Sequence, residues 1–370
     1  MSIRPGRRLA LVLMLSAVAL AGCQGGASAP ATPTPVPVTE EVLAVPAAIA
    51  SPSHPVLWYR DGDASLHLVA YDWNGNRAGE LQLHAGAPVG ITPSRDGSRL
   101  LVVGATTVSG APVLRRLDGS GAVWSDDDQH LCQFRARDGR PVAGRPESRQ
   151  VPASLWLVDL GGGADRRVLD FGAYGGHGGP AVLACDVAAD RAMIGTTFTA
   201  SYTDLRMVRL HDGATLPLGL QAPTQRGLVV SAEGRYAGLG DTAGSTGGPG
   251  APGFDVLDAA GGAVLGHVGS GGLVGFSGDD SLAMIVAWQD NSNEVGIFSL
   301  VDWRTGAVLW THRCGQGTIT ARPGTGDFLF GEPHRVDGGG NRAATITEEA
   351  WIVRRDGSTV HLGSGFGALY

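Results

Sequence analysis

The chain contains no lysine: all 28 of its basic residues are arginine. Without a side-chain amine, Schiff-base and pyridoxal chemistry is excluded. Cysteine is scarce. Cys23, Cys132, Cys185 and Cys314 are the only four, with no CxxC spacing and no Cys/His cluster, so no structural zinc site is expected. Charged residues make up 17% and aromatics 6%, and no apolar run reaches the roughly 20 residues of a membrane-spanning helix. The glycine has no three-residue period, which excludes collagen. Formal charge is −7, and residues 1–22 carry Arg4, Arg7 and Arg8 without an acid, so the remainder is more acidic still. A chain of that sign is not expected to bind nucleic acid or to cling electrostatically to anionic lipid. What the sequence does hold is 58 Gly, 21 Pro and 43% hydrophobic residues in 370. That is too apolar for disorder and too rich in glycine for a helical bundle. Many short strands joined by tight turns fit it best, an all-β fold.

The first residues read as an address. Arg4, Arg7 and Arg8 precede the apolar run Leu9 to Leu20, which is the length of a secretory signal core. The run ends in Leu20-Ala21-Gly22-Cys23. This resembles the lipobox of bacterial lipoproteins, which implies that residues 1–22 are removed and that Cys23 is lipidated. The alternative is an ordinary signal peptide cut near Ala21. Either way the protein is expected outside the cytoplasm, in the first case held to a bacterial membrane by its lipid alone. Residues 23–54 are dominated by Pro, Ala, Thr and Ser and are expected to form an extended tether, with the folded body at 55–370.

From about residue 55 the chain repeats. One corner, an apolar strand followed by Asp and Gly, recurs at Asp72, Asp118, Asp159, Asp212, Asp258, Asp302 and Asp356, spaced by 46, 41, 53, 46, 44 and 54 residues. A four-stranded propeller blade takes roughly 40–50. A second corner interleaves near Asp96, Asp127, Asp190, Glu233, Asp279 and Gly324. Asp bonds its own backbone at such corners and Gly supplies positive φ. The first set is expected between outer strands c and d, the second between inner strands a and b. The expected fold is a β-propeller, seven blades by this count and six as the alternative. The seventh a–b corner is missing, so Gly365 to Tyr370 is expected to close the ring beside Pro55–Arg60. The 9 residues between Asp118 and Asp127 are too few for two complete strands, so blade 2 is expected to lack its outer strand, unless the blades number six.

Gly266-His267, Phe276-Ser277, Asp279, Asp290 and Asp302 together resemble a tryptophan–aspartate (WD) repeat. Thr92 to Val103 resembles the TolB-like propeller repeat. Both resemblances imply a propeller and leave its activity open. Asp302, Thr305, Gly306 and Trp310 resemble the blade motif of quinoprotein dehydrogenases, in which the Trp packs between blades. Only one copy carries the pattern, so no cofactor is expected.

Candidate site residues lie on the face where d–a and b–c loops meet: His84, His177, Arg226, His267, His312, Arg313 and Gln316 in d–a loops, with long b–c loops at 137–153, 241–252 and 333–346. Arg140, Arg145 and Arg149 make the first of these basic. His84, His267, His312 and His361 recur at the ends of d strands, where four imidazoles could hold a metal. A periodic structural role explains a periodic residue better, so no metal is expected. His177 lies in a glycine-rich turn, with no GxSxG elbow elsewhere to make it part of a hydrolase. The acidic corners at 126–128 and 279–280 read as solvated turns rather than calcium loops. Cys132 and Cys185 fall on a b strand and the next blade's a strand, where a disulfide is feasible. The function expected is binding or scaffolding of an envelope protein, peptide or glycan. A hydrolase or lyase with a metal or polar cluster at the channel mouth is the alternative.

Overall fold

In a computed structural model of the chain, the described residues are 39–50, 56–62, 65–83, 90–104, 108–109, 111–117, 121–136, 152–173, 180–198, 201–217, 227–240, 253–289, 295–336, 345–366 and 368–369. They form seven sheets of at least four strands each. The one helix among them is the single turn Ala47–Ala50. Blade 6 shows the plan: strands Gly272–Phe276, Ala283–Trp288, Gly296–Asp302 and Ala307–Cys314 pair antiparallel in that order, a to d. Strand a is innermost, because the a strands of blades 3 and 4, 5 and 6, and 6 and 7 meet one another.

Each sheet buries side chains on both faces, and one apolar cluster fills each gap between neighbours. Leu68 and Leu81 of blade 1 meet Leu100 and Val102 of blade 2. Leu101 and Leu117 meet Trp124, Leu131 and Val158 of blade 3. The series continues through Phe134 and Val182, Met193 and Leu228, Val256 and Phe276, and Phe298 and Phe330. It returns to its start where Leu329 and Ile352 of blade 7 cover Trp73 of blade 1. Because the clusters link every successive pair, the sheets close into a ring, the β-propeller expected from the repeat.

Closure at blade 1 occurs as expected. Ala368–Leu369 pairs with Val56–Gly62, Trp58 opposite Leu369 and Tyr59 opposite Ala368. Blade 2 differs from expectation. Its strands a and b are Gly90–Pro93 and Arg99–Gly104, and its strand d, Val113–Leu117, is present. Strand c is what the local sequence omits, and Thr39–Ala44 fills the place between b and d. Asp118 therefore lies past strand d of blade 2, on the way to strand a of blade 3 (Ala122–Trp124), and marks no c–d hairpin. The boundary expected at residue 55 moves back accordingly: Pro37 to Tyr370 is one compact unit. The segment read as tether hides a strand because its apolar residues, Val42 and Leu43, are adjacent rather than alternating. They point to opposite faces, Leu43 into the gap with blade 1 and Val42 into the gap with blade 3, each 0% exposed.

Candidate functional site

The ring has two edges, and charge is used differently on each. One carries the a–b corners of blades 2 to 7. At the fourth corner position the chain turns left-handed, at Gly97, Gly234 and three aspartates: Asp128 (φ 55°), Asp190 (φ 55°) and Asp280 (φ 58°). Aspartate tolerates that region better than most residues. Two of these carboxylates reach the preceding blade. Asp128 accepts the backbone N–H groups of Arg95 and Asp96 at 2.7 and 2.9 Å, and Asp280 takes Arg235 Nε at 3.1 Å. Both are buried, and burial pushes both carboxyls above the usual range while those donors pull them back. Asp126 accepts from Val187 N–H of blade 4 at 2.6 Å. Arg95 spans from blade 2 to Glu233 of blade 5. The expectation of solvated turns is thus corrected: these corners stitch blade to blade. Where blade 1 lacks a corner, a 440 Å³ cavity remains, lined by Arg95, Asp96 and Asp128 on one side and Arg322 to Thr325 on the other. Arg322 is paired with Asp327 at 3.2 Å and lies over Trp73. The charged groups lining this cavity are thus paired with protein partners: Asp128 with the backbone of Arg95 and Asp96, and Arg322 with Asp327.

The b–c connections lie at the other end of every strand b, so they emerge from the opposite edge. They join residues 136 to 152 in blade 3, 240 to 254 in blade 5 and 336 to 345 in blade 7. Strands extend further into the first and third of these than the loop boundaries 137–153 and 333–346 allowed. His84, His177, Arg226, Arg140, Arg145 and Arg149 lie outside the described residues. His267 is exposed, and its Nδ1 lies 2.7 Å from Asp255 Oδ1 in its own blade. Arg313 and Gln316 are exposed at the end of strand d of blade 6.

His312 behaves differently from His267. Its Nε2 lies 2.8 Å from Glu332 Oε2, in the next blade. Blade 7 consists of Thr318–Ala321, Phe328–Val336, Thr345–Val353 and Thr359–Phe366. Its register sets Glu332 opposite Glu349, Phe330 opposite Trp351, and Trp351 opposite His361. Paired residues share a face, so all of these look toward blade 6. His361 Nε2 is 2.9 Å from Glu349, and His334 Nε2 stands 3.5 Å from Glu349 and 4.0 Å from Glu332. Three imidazoles thus surround two carboxylates. Trp310 stacks on His312 with centroids 5.8 Å apart, and Trp310 and Phe330 meet edge-on across the gap, so Trp310 does pack between blades. Gly317 permits this closeness, since a Cβ there would stand 2.8 Å from Phe330 and 2.9 Å from Phe298. Cys314, two residues beyond His312, is buried and free. Burial, and then the charge of Glu332, pushes its thiol up to about 12, so it is protonated at neutral pH and a poor nucleophile. Of this cluster the sequence singled out His312 and His361. Glu332, His334 and Glu349 were missed because the strand register, which no local motif encodes, brings them together.

A disulfide joins Cys132 in strand b of blade 3 to Cys185 in strand a of blade 4, with Cα atoms 5.8 Å apart and both residues buried. Among the described residues no helix is long and apolar enough to cross a membrane.

No family model matches the chain, and no curated protein resembles it closely enough to match. Solved structures do. TolB from Acinetobacter baumannii is 11% identical with a TM-score of 0.41, over 76% of this chain and 64% of that one. This chain therefore spans somewhat less than two thirds of that protein. The uncharacterized protein lmo1340 from Listeria monocytogenes EGD-e is 8% identical with a TM-score of 0.48, over 89% and 84%. An oligogalacturonate lyase in complex with manganese is 13% identical with a TM-score of 0.47, over 83% and 84%. At such identities the likeness concerns the fold alone.

Proposed function

We propose that the chain is an extracytoplasmic lipoprotein, anchored through Cys23, whose propeller serves as a binding or scaffold module for an envelope protein, peptide or glycan. One observation carries the binding reading. The three long b–c connections leave blades 3, 5 and 7 on one edge, while on the opposite edge Asp126, Asp128, Asp280 and Arg95 join corner to corner. A rigid ring with connections gathered on one side is a scaffold for recognition. The Cys132–Cys185 bridge supports the location, since buried disulfides persist outside the reducing cytoplasm.

The test is capture from the native envelope by chemical crosslinking. Three forms are compared: the full chain, the full chain with residues 137–151 and 241–252 shortened, and the full chain with Cys23→Ser. The shortened form is expected to keep its melting temperature and lose its captured partner. Cys23→Ser is expected to move the protein out of the membrane fraction. Equal capture by the full and shortened chains overturns the choice of face, and unchanged membrane association of Cys23→Ser overturns the anchor.

A further inference from the structure

We propose that His312, Cys314 and Glu332 form a binding site for a divalent transition metal, with zinc the best-matched ion, at the edge of the gap between blades 6 and 7. The site is independent of which partner the ring holds. His312 and Cys314 are two residues apart on strand d of blade 6, so both point toward blade 7. Glu332 answers from strand b of blade 7. One donor atom from each, an imidazole nitrogen, Sγ and a carboxylate oxygen, falls within 4.8 Å of the others. Donors about 2.1 Å from a tetrahedral ion lie roughly 3.4 Å apart, so small rotations of these side chains suffice. The strands that carry them are held by the Phe298–Phe330 and Trp310–Phe330 contacts, which makes the donors a preorganised set rather than a loop feature.

The donor chemistry selects the ion. Thiolate, imidazole and carboxylate together suit zinc and exclude magnesium and calcium, which take oxygen. The surroundings favour a cation as well. Glu332 and Glu349 are direct cross-strand neighbours, and like charges so placed repel. A divalent ion at Glu332 would offset that repulsion. Glu349 with His361 and His334 would form the ring outside the ligands, where carboxylate–imidazole contacts orient metal-binding side chains. Cys314 would bind as thiolate, its proton leaving to solvent. Three protein donors leave one tetrahedral position for water or an exchangeable ligand.

The test uses the full chain carrying Cys23→Ser, in which Cys314 is the only cysteine outside the disulfide. Chelator-treated protein is titrated with zinc chloride by calorimetry and with cobalt(II) chloride by absorption. One zinc per chain is expected, with a rise in melting temperature and a near-ultraviolet thiolate-to-cobalt band. Cys314→Ser should abolish the band. His312→Ala and Glu332→Gln should each weaken zinc by about 100-fold or more, and His334→Asn by about 10-fold, the scale of an outer-ring loss. His211→Ala, on blade 4, should change nothing. Melting of the metal-free variants shows whether they fold, and the parent chain decides the matter even if they do not. A parent chain with neither a cobalt band nor a zinc-dependent rise in melting temperature overturns the proposal. So does undiminished zinc binding by folded His312→Ala/Cys314→Ser.

Discussion

Two blades borrow a strand from a distant part of the chain, and they borrow it in different ways. Blade 1 takes Ala368–Leu369 at its innermost edge, paired on one side over two positions. Blade 2 takes Thr39–Ala44 into its interior, paired with strand b over six positions and with strand d on the other side. Both borrowings complete a sheet. The second also supplies core, because Val42 and Leu43 belong to the apolar clusters on either side of blade 2. The ring is thus closed at blade 1 but secured at blade 2. A segment that follows the expected lipid anchor is built into the interior of the fold.

The largest effect should come from that segment. Deleting residues 39–44 bares one edge on each of strands b and d of blade 2 and opens two clusters, so loss of the folded state is expected. A milder comparison is more informative. Leu43 in the borrowed strand and Leu300 in blade 6, whose strands are all local, are both 0% exposed. Leu→Ala at either should cost about 2–5 kcal/mol by urea denaturation. Equal costs would show that the borrowed strand is packed as firmly as a local one. A much smaller cost at Leu43 would show it to be loosely held.

Next in size is the covalent link between blades 3 and 4, which borrow nothing. Their bridge closes a separation of 53 residues. Replacing both Cys132 and Cys185 by Ser should cost about 4 kcal/mol, read as a shift in denaturation midpoint. A negligible shift would mean that apolar packing and the polar contacts of the corners hold this gap without the bridge, as they do between other blades.

Glu40 distinguishes the borrowed strand by pH. It is 0% exposed and accepts hydrogen bonds from Gly121 N–H at 2.8 Å and Gln133 Nε2 at 2.7 Å. Burial nevertheless pushes its carboxyl from 4.5 up to about 7. Between those values the folded chain holds a proton that the unfolded chain has released. The contribution of Glu40 to stability should therefore be greatest below pH 4.5, fall through the window by up to about 3 kcal/mol, and level off above 7. Glu40→Gln should flatten that part of the profile in denaturation measured across the range. If the slope survives the substitution, another group is responsible.

Twelve of the corners were legible in sequence, because Asp and Gly at a tight turn act through their own backbone. Asp302 and Asp356 do that, each accepting the N–H two residues on. The same motif concealed what Asp128 does, since its partners sit 32 and 33 residues away on another blade. Thr39–Ala44 was hidden by its setting among Pro, Ala and Thr and by the side-by-side placement of Val42 and Leu43. His312 was visible, but Glu332 and Glu349 were not. Two glutamates 17 residues apart become neighbours only through the pairing of strands b and c. Composition and local pattern thus indicate blades and corners. What passes from one blade to the next depends on register and ring closure.

The smallest effect should come from the strand that first suggested closure. Removing residues 367–370 deletes two paired positions at one edge. At about 1 kcal/mol for each hydrogen bond lost, the cost is about 1–2 kcal/mol. The exposed edge of Val56–Gly62 would then face the axis, where it is shielded from other chains. A small drop in melting temperature without aggregation is therefore expected. A collapse as large as that from deleting residues 39–44 would mean that the inner edge, rather than the interior of blade 2, bears the strain of holding the ring shut.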